Sequence, residues 1–196
     1  MRGDQILLEQ YASLEEDLQR QMESIGTKGG ADSVKERAIR SLTQSLQSEL
    51  SKVFSSCILT EMYPATTIAF QFTVIELDSD LLQSMINCAS LTLYKSTIQC
   101  RCLPIAITMF LKPADKRHQK APKDWIQIDP NYAHFKHATQ YTHRTSMVWN
   151  VDVQELVSFS LQPLSKSQAL DLKEMDAIMG VSLSIAQKLH EYMLEL

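Results

Sequence analysis

The sequence predicts an α+β fold in which helices pack against a sheet. Apolar residues recur three or four positions apart in long stretches, which is the spacing of one helix face. Shorter stretches alternate apolar and polar residues, as strands do. These stretches follow the order helix, helix, strand, helix, strands, helix, which is typical of layered α+β domains. The chain has 196 residues, 44% of them hydrophobic, enough for one domain with a substantial core.

The composition also argues against some classes of function. The net charge of −4 does not favour a free-standing nucleic-acid binder, because affinity for phosphate backbones grows with the number of cations. No apolar run approaches the about 20 residues that a membrane helix needs, and the N-terminus does not resemble a signal peptide, so we expect no membrane partner. The four cysteines contain no Cys-x-x-Cys pair and are expected to be free, buried thiols.

Residues 5–25 carry one apolar stripe at helical spacing, which predicts an amphipathic N-terminal helix. The glycine-rich residues 26–30 then end the helix and act as a linker. We therefore divide the chain into an N-terminal part, residues 1–30, and a main domain, residues 31–196. An amphipathic helix must bury its stripe, either on the chain's own sheet or in a groove of a partner protein. The candidates for a contact with a partner are Leu7, Tyr11, Leu14 and Leu18.

The main domain opens with a long helix, predicted at about residues 34–61. Ser33 and Glu36 form a capping box at its start, and Pro64 ends it, because the residue before a proline avoids helical geometry. The later elements are a strand at 66–77, a helix at about 80–96, a central strand at 100–111, short strands at 125–129, 134–142, 145–151 and 153–161, and a C-terminal helix from 165–167 to about 194.

A basic loop follows the central strand. Five cations lie in it against Asp115 alone: Lys112, Lys116, Arg117, Lys120 and Lys123. One interpretation is a contact with RNA or with an acidic partner. The other is an ordinary solvated loop, and the lack of interleaved aromatic residues argues against stacking of single-stranded bases.

Three histidines, His134, His137 and His143, could be metal ligands by type and proximity in sequence. His134 and His137 would point to opposite faces of the strand predicted there, which argues against a shared metal. We therefore expect them to be polar residues of strand faces.

Residues 75–89 read as the end of a strand, a short acidic turn and the start of a helix, and they resemble, without a gap, the strand-turn-helix of the RNase PH family. In that family the turn carries a Gly-Gly-Thr-Arg run that binds phosphate. Here the glycine positions hold Ser79 and Asp80, and the arginine position holds Leu82. Further resemblances, in family order, lie at residues 58–64, 85–93, 103–107 and 126–130 and in the C-terminal helix. Together they cover about residues 34–196, and they look most like the non-catalytic ring subunits of the eukaryotic RNA exosome.

The resemblance implies an RNase PH-like fold of the ribosomal protein S5 domain 2-like type, with a helix where the family has N-terminal strands. It also implies that the chain is not an enzyme. A phosphate site needs bare backbone N–H groups and a cation, which an aspartate and a leucine do not supply. The family's acidic catalytic residues would follow Asp129, yet no Asp or Glu lies between Asp129 and Asp152. We therefore expect no catalytic residue, no metal and no cofactor.

The partners that the resemblance implies are other RNase PH-like subunits in a hetero-oligomeric ring, cap proteins, a hydrolytic nuclease and RNA in the assembled channel. The implied role is RNA processing and degradation, rRNA processing included, in the nucleus, the nucleolus and the cytoplasm. Two alternatives stay open. One is a divergent metal-dependent nuclease that uses the histidines and Asp129, and the other is a scaffold that has left the exosome and keeps only the dimer interface.

Overall fold

The computed structural model describes residues 31–75, 80–113, 125–131, 133–134, 137, 140–164 and 170–196. The predicted N-terminal helix, its glycine-rich linker and most of the basic loop lie outside these residues. The chain divides into two compact units, residues 1–52 and 53–196. Helix α1, Ala31–Cys57, begins in the first unit and ends in the second.

Helix α1 confirms the first predicted helix of the main domain but shifts its ends. It is already helical at Ala31, so Ser33 lies within it rather than capping it. It stops at Cys57 because the next residue, Ile58, pairs with Cys100 in an isolated β-bridge. The Leu59 N–H also donates to the Gln99 carbonyl over 3.1 Å, and a short 3-10 turn follows at Thr60–Met62.

The predicted strand at 66–77 is wrong over its described residues, 66–75, which do not form a strand. The alternation is nonetheless real, because Ile68, Phe70 and Phe72 are half-buried while their neighbours are exposed. The Phe70 ring lies 5.1 Å from the Phe54 ring and 6.3 Å from the Phe72 ring. Alternation of apolar and polar residues shows which side of the segment is covered. A strand also needs a neighbouring strand that binds its backbone N–H and carbonyl groups. The described part of the chain offers none.

The described residues form one antiparallel sheet of four strands, β1 Pro104–Leu111, β2 Ile126–Ile128, β3 His143–Asn150 and β4 Glu155–Pro163. Their order is β2-β1-β3-β4, so β1 is central, and all eight of its residues are buried. This confirms the predicted central strand, which begins at Pro104 rather than at residue 100. Strands β2, β3 and β4 confirm the predictions at 125–129, 145–151 and 153–161. Strand β3 begins two residues earlier than predicted, and β4 is shifted two residues toward the C-terminus.

The strand predicted at 134–142 is wrong in its described part, where His134 is helical and Gln140 lies in a 3-10 turn. The cause is local hydrogen bonding around Asn131. The His134 N–H donates to both the carbonyl and the side-chain oxygen of Asn131, at 2.9 and 3.3 Å. Asparagine side chains that bond nearby backbone groups in this way compete with strand pairing.

Two helices cover opposite faces of the sheet. Helix α2, Leu81–Lys95, lies on one face, and helix α3, Leu172–Glu195, lies on the other. The apolar core is on the α3 side, where buried residues of β1 and β3 pack against Ile178, Ala186 and Met193. The start of α3 is later than predicted, because Asp171 and Glu174 form its capping box. In the described part of the chain, no helix is both long and apolar enough to span a membrane.

Candidate functional site at the N-terminus of helix α2

Asp80 is the N-cap residue of helix α2. Its backbone is extended while the next residue is helical, and its Oδ1 accepts a hydrogen bond from the Leu82 N–H over 3.1 Å. Aspartate suits this position because its carboxylate satisfies an N–H group that has no partner within the helix and lies at the positive end of the helix dipole. The place that the resemblance assigns to the second glycine of a phosphate loop therefore holds a negative charge.

The second oxygen of Asp80 binds residues of the sheet. Oδ2 accepts from the Thr108 hydroxyl of β1 over 2.6 Å and from the Arg144 guanidinium of β3 over 2.5 Å. The Thr108 hydroxyl also lies 3.1 Å from the hydroxyl of Ser146. Asp80 and Arg144 are only 5% and 9% exposed, so this is a buried ion pair.

The pKa of Asp80 follows from these contacts. Burial on its own would raise the pKa, because the charged form loses its water. The positive charge of Arg144 and the hydrogen bonds from Thr108 and Arg144 oppose that effect and hold the pKa below its ordinary value. Asp80 is therefore ionised at neutral pH, and the N-terminus of α2 carries its own anion.

Further along α2, three polar side chains bind the backbone of β1. Gln83 Oε1 accepts from the Thr108 N–H over 2.7 Å, and Ser90 donates to the Pro104 carbonyl over 2.5 Å. Asn87 binds both backbone groups of Ala106, at 2.8 and 3.0 Å. Strand β2 pairs only with residues 109–111 of β1, so these side chains take the place of a neighbouring strand along the rest of that edge.

Asp129, which the nuclease alternative requires, takes part in the same network. Its Oδ1 accepts from the Gln83 amide over 3.1 Å, and its N–H donates to the Thr108 carbonyl over 3.0 Å. Its φ of 46° lies in the left-handed region, which aspartate tolerates better than most residues. These contacts give Asp129 a structural role, because they hold the chain where strand β2 ends.

The structure does not bring the three histidines together with other ligands into a metal site. The His134 ring accepts from the Asn131 N–H over 3.2 Å and lies 6.3 Å from the Tyr141 ring, while His137 is exposed. His143 is buried at the start of β3, beside the hydroxyl of Thr142. Among the residues that the structure describes, no three His, Cys, Asp or Glu side chains could hold a metal ion.

Most of the other predicted site residues lie outside the described part of the chain. Lys112 is described and exposed, and its N–H donates to the Trp125 carbonyl over 2.9 Å, which extends the pairing of β1 and β2. The undescribed residues are Lys116, Arg117, Lys120 and Lys123 of the basic loop, and Leu7, Tyr11, Leu14 and Leu18 of the N-terminal stripe. The predictions for both groups stay predictions.

All four cysteines are free thiols, as expected, but they are not all buried. Cys57 and Cys102 are buried, whereas Cys88 is exposed because it lies on the outer face of α2. A hydrogen bond with Cys102 lowers the pKa of Cys57 to about 7, against the opposing effect of burial. The same contact, with burial, raises the pKa of Cys102. The neighbouring Ser56 hydroxyl lies 3.7 Å from the Cys57 sulfur.

Strand β4 is the second notable surface, because it forms the edge of the described sheet. Phe159 and Leu161 lie opposite Met147 and Thr145 in the register, on the face that α3 covers elsewhere. They are 41% and 36% exposed, and Leu156 is 37% exposed. No charged residue lies in β4 after Glu155, so this edge lacks the charges that commonly protect edge strands.

Sequence reasoning missed Arg144 altogether. It singled out Asp80 only as the loss of a glycine, because strand and helix patterns do not show which distant residues meet. The burial of Arg144 and its neighbours in β3 is known only from the structure. A charged residue in such a run of buried residues needs a partner of opposite charge.

No protein family matches the sequence, and no curated protein matches it. The solved structures that the chain resembles include the crystal structure of Rrp46 from rice, Oryza sativa. The two share 16% sequence identity with a TM-score of 0.62, and the match covers 86% of this chain and 67% of the rice protein. This likeness confirms the predicted RNase PH-like fold with helices on an antiparallel sheet.

Proposed function

We propose that this chain is a catalytically inactive, structural subunit of an RNA exosome-type ring. The observation that carries the proposal is the fold shared with rice Rrp46, an RNase PH-like exosome subunit. In this role the chain pairs with other RNase PH-like subunits and contacts cap proteins and a hydrolytic nuclease. RNA passes through the assembled channel and is trimmed from its 3′ end by other subunits. We place the assembly in the nucleus, with the nucleolus, and in the cytoplasm.

The Asp80–Arg144 ion pair supports the inactive part of the proposal. Phosphorolysis requires inorganic phosphate, and a phosphate is repelled where a buried carboxylate already caps the helix and binds the cation. Asp129 is exposed, and its carboxylate accepts a hydrogen bond from the Gln83 amide at the end of strand β2. No observation favours the metal-dependent nuclease.

The edge of strand β4 supports the structural part of the proposal. An edge strand offers unpaired backbone groups to another chain, and this one also exposes Leu156, Phe159 and Leu161. Stable subunit interfaces bury apolar side chains of this kind at their centre. The β4 edge is therefore the described surface that best suits a neighbouring subunit.

Affinity purification of the tagged full chain from its native cells, followed by mass spectrometry, tests the assembly. We expect about eight other exosome subunits, the RNase PH-like ones at equal stoichiometry with the bait. Recovery of the chain alone from a gentle, low-salt extract would contradict the proposed role and leave the scaffold alternative.

Activity is tested separately with the purified chain, a 3′-tailed RNA, inorganic phosphate and Mg²⁺. We expect no release of nucleoside diphosphates, while an active bacterial RNase PH in the same assay serves as the positive control. Release that disappears in an Asp129→Ala variant would show that the chain is an enzyme.

A further inference from the structure

We propose that Cys57 and Cys102 form a redox-active pair, which a small oxidant such as hydrogen peroxide converts to a reversible disulfide. The link joins the last residue of helix α1 to the segment that leads into strand β1. The inference goes beyond the proposed function, because it concerns a covalent modification of the fold rather than a role in a ring. It rests on the packing of the two thiols, which is independent of any partner.

The backbone holds the two segments side by side. Ile58 and Cys100 pair in an isolated antiparallel β-bridge. Next to this bridge, the Arg101 N–H donates to the Cys57 carbonyl over 2.7 Å. Cys57 is therefore held opposite Arg101, one position from Cys102. Neighbouring positions on two paired segments lie near the Cα separation of about 4.4–6.8 Å that a disulfide spans.

The side chains complete this arrangement. The thiols of Cys57 and Cys102 are hydrogen-bonded to each other, and the two residues are buried, at 0% and 8% exposed. The hydrogen bond with Cys102, together with a weaker one with Ser56, outweighs burial and lowers the pKa of Cys57 to about 7. Its thiolate is therefore present at neutral pH, and the thiolate is the form that reacts with oxidants.

The other two cysteines have different surroundings. Cys100 lies opposite Ile58, and its thiol donates to the Ile98 carbonyl of its own segment over 3.7 Å. Cys88 is exposed on the outer face of helix α2. The chain thus provides a partly buried thiol and an exposed thiol as matched controls for the buried pair.

The reaction balances with hydrogen peroxide as the oxidant. The Cys57 thiolate attacks one peroxide oxygen, so that an S–O bond forms, the O–O bond breaks and the departing hydroxide takes a proton from solvent. The Cys102 sulfur then attacks the sulfur of the sulfenic acid at Cys57. The S–S bond forms, the S–O bond breaks, and the hydroxyl group leaves with the Cys102 proton as water. Two thiols and one peroxide thus give one disulfide and two waters, and a dithiol reductant reverses the link.

Peptide mapping of the full-length chain tests the pairing. The reduced protein is treated with hydrogen peroxide at neutral pH, the remaining thiols are blocked with N-ethylmaleimide, and the chain is digested with trypsin. Cleavage after Arg101 separates Cys100 from Cys102, whereas Cys57 and Cys88 share one peptide, so the Cys88→Ser variant is mapped as well. We expect the Cys57–Cys102 link to be the main disulfide in both proteins. Its share should exceed that in the same chain oxidised in urea by at least about fivefold, because an unfolded chain favours shorter loops.

Thermal unfolding provides a second measurement. The disulfide closes the loop that contains helix α2, which restricts the unfolded chain. We expect Tm of the oxidised wild-type chain to lie about 5–10 °C above that of the reduced chain, and dithiothreitol should restore the lower value. Cys100→Ser should keep this difference between the oxidised and reduced forms. Cys57→Ala and Cys102→Ala should lose it.

The inference is overturned if peroxide joins Cys57 or Cys102 mainly to other cysteines. It is equally overturned if their link forms no more readily in the folded chain than in urea, or if Cys57→Ala and Cys102→Ala keep the gain in Tm. The peptide map of the wild-type chain decides the pairing by itself, so an alanine variant that does not fold leaves the test intact.

Discussion

At the residue scale, Asp80 and Arg144 show how a buried charge depends on its partner. The pair is not evidence of extra stability in itself, because two charges lose their water when they are buried together. Removing one partner is a different matter, since it leaves the other charge buried without compensation. This asymmetry makes the pair a sensitive point of the fold.

We expect Arg144→Met to lower the free energy of unfolding by about 3–5 kcal/mol at pH 7, because Asp80 then stays buried without this cation. The wild-type pKa of Asp80 is depressed, so its contribution is present above about pH 4, the ordinary aspartate range, and is lost as pH falls through the folded pKa. In the Arg144→Met variant the pKa of Asp80 is raised instead, because the buried carboxylate has lost its cation. The destabilisation therefore falls at lower pH, where the carboxyl becomes neutral. Urea titrations at pH 7, 5.5 and 4 should therefore show the gap to wild type narrowing toward acid.

Arg101→Met is the matched control for this prediction. Arg101 forms an ion pair of 2.6 Å with Glu61, but both side chains are more than half exposed. Exposed pairs contribute little, so the control should lie close to wild type at every pH. Equal losses in the two variants would show that the burial of the Asp80–Arg144 pair has no consequence.

Gly180 offers a second prediction at the residue scale. It lies in the middle of helix α3, and a Cβ atom added there would meet nothing within 4 Å. Glycine in a helix interior costs about 0.5–1 kcal/mol relative to alanine, because its unfolded chain is more flexible. Gly180→Ala should therefore raise the free energy of unfolding by about this amount in a urea titration. Ser184→Ala on the same helix starts from a better helix former and should gain less.

At the element scale, the sequence predicted most helices and strands but not their partners. Helix α2 and strand β1 lie close to their predicted places because their apolar patterns are long and unbroken. The strand predicted at 66–77 had an equally clear alternation and still failed, because alternation does not supply a neighbouring strand. The N-terminal end of α3 was predicted too early, because the apolar pattern does not show that the capping box is formed by Asp171 and Glu174.

The contacts of α2 with the sheet were hidden for the same reason. The apolar spacing along α2 marks Ile86, Ala89 and Leu93 as one face, and all three are buried. It gave no weight to Gln83 and Asn87, because polar residues on a helix are usually solvated. Only the three-dimensional structure shows that the edge of β1 needs their hydrogen bonds.

Asn87→Ala tests this role of α2. The change leaves both backbone groups of Ala106 without their partner, and Ala106 is buried, so we expect a loss of about 2–4 kcal/mol in the free energy of unfolding. Thr92→Ala is the control, because Thr92 is exposed and bonds only the Cys88 carbonyl of its own helix. The control should change stability by less than about 0.5 kcal/mol. Similar losses in both variants would mean that α2 does not complete the edge of β1.

At the scale of the whole molecule, β4 is an edge strand of the described sheet. The apolar side chains there and the lack of charge after Glu155 suit a buried interface and also favour aggregation of the free chain. One surface thus predicts two behaviours, poor solubility alone and stable assembly with a partner. Because a single change affects both, the two behaviours can be tested together.

We expect the double change Phe159→Lys and Leu161→Lys to act in opposite directions on these behaviours. Two charges on an edge strand block pairing with another chain, so the isolated variant should show less self-association in analytical ultracentrifugation than wild type. The same charges should remove the partners proposed above from an affinity purification, because the interface core no longer excludes water.

Val153→Lys is the control, since Val153 is 58% exposed in the turn before β4 and lies outside the paired strand. A Phe159→Lys and Leu161→Lys variant that keeps all its partners would place the subunit interface elsewhere on the molecule. A control that loses them as well would show that added charge alone, rather than its position on β4, disrupts the assembly.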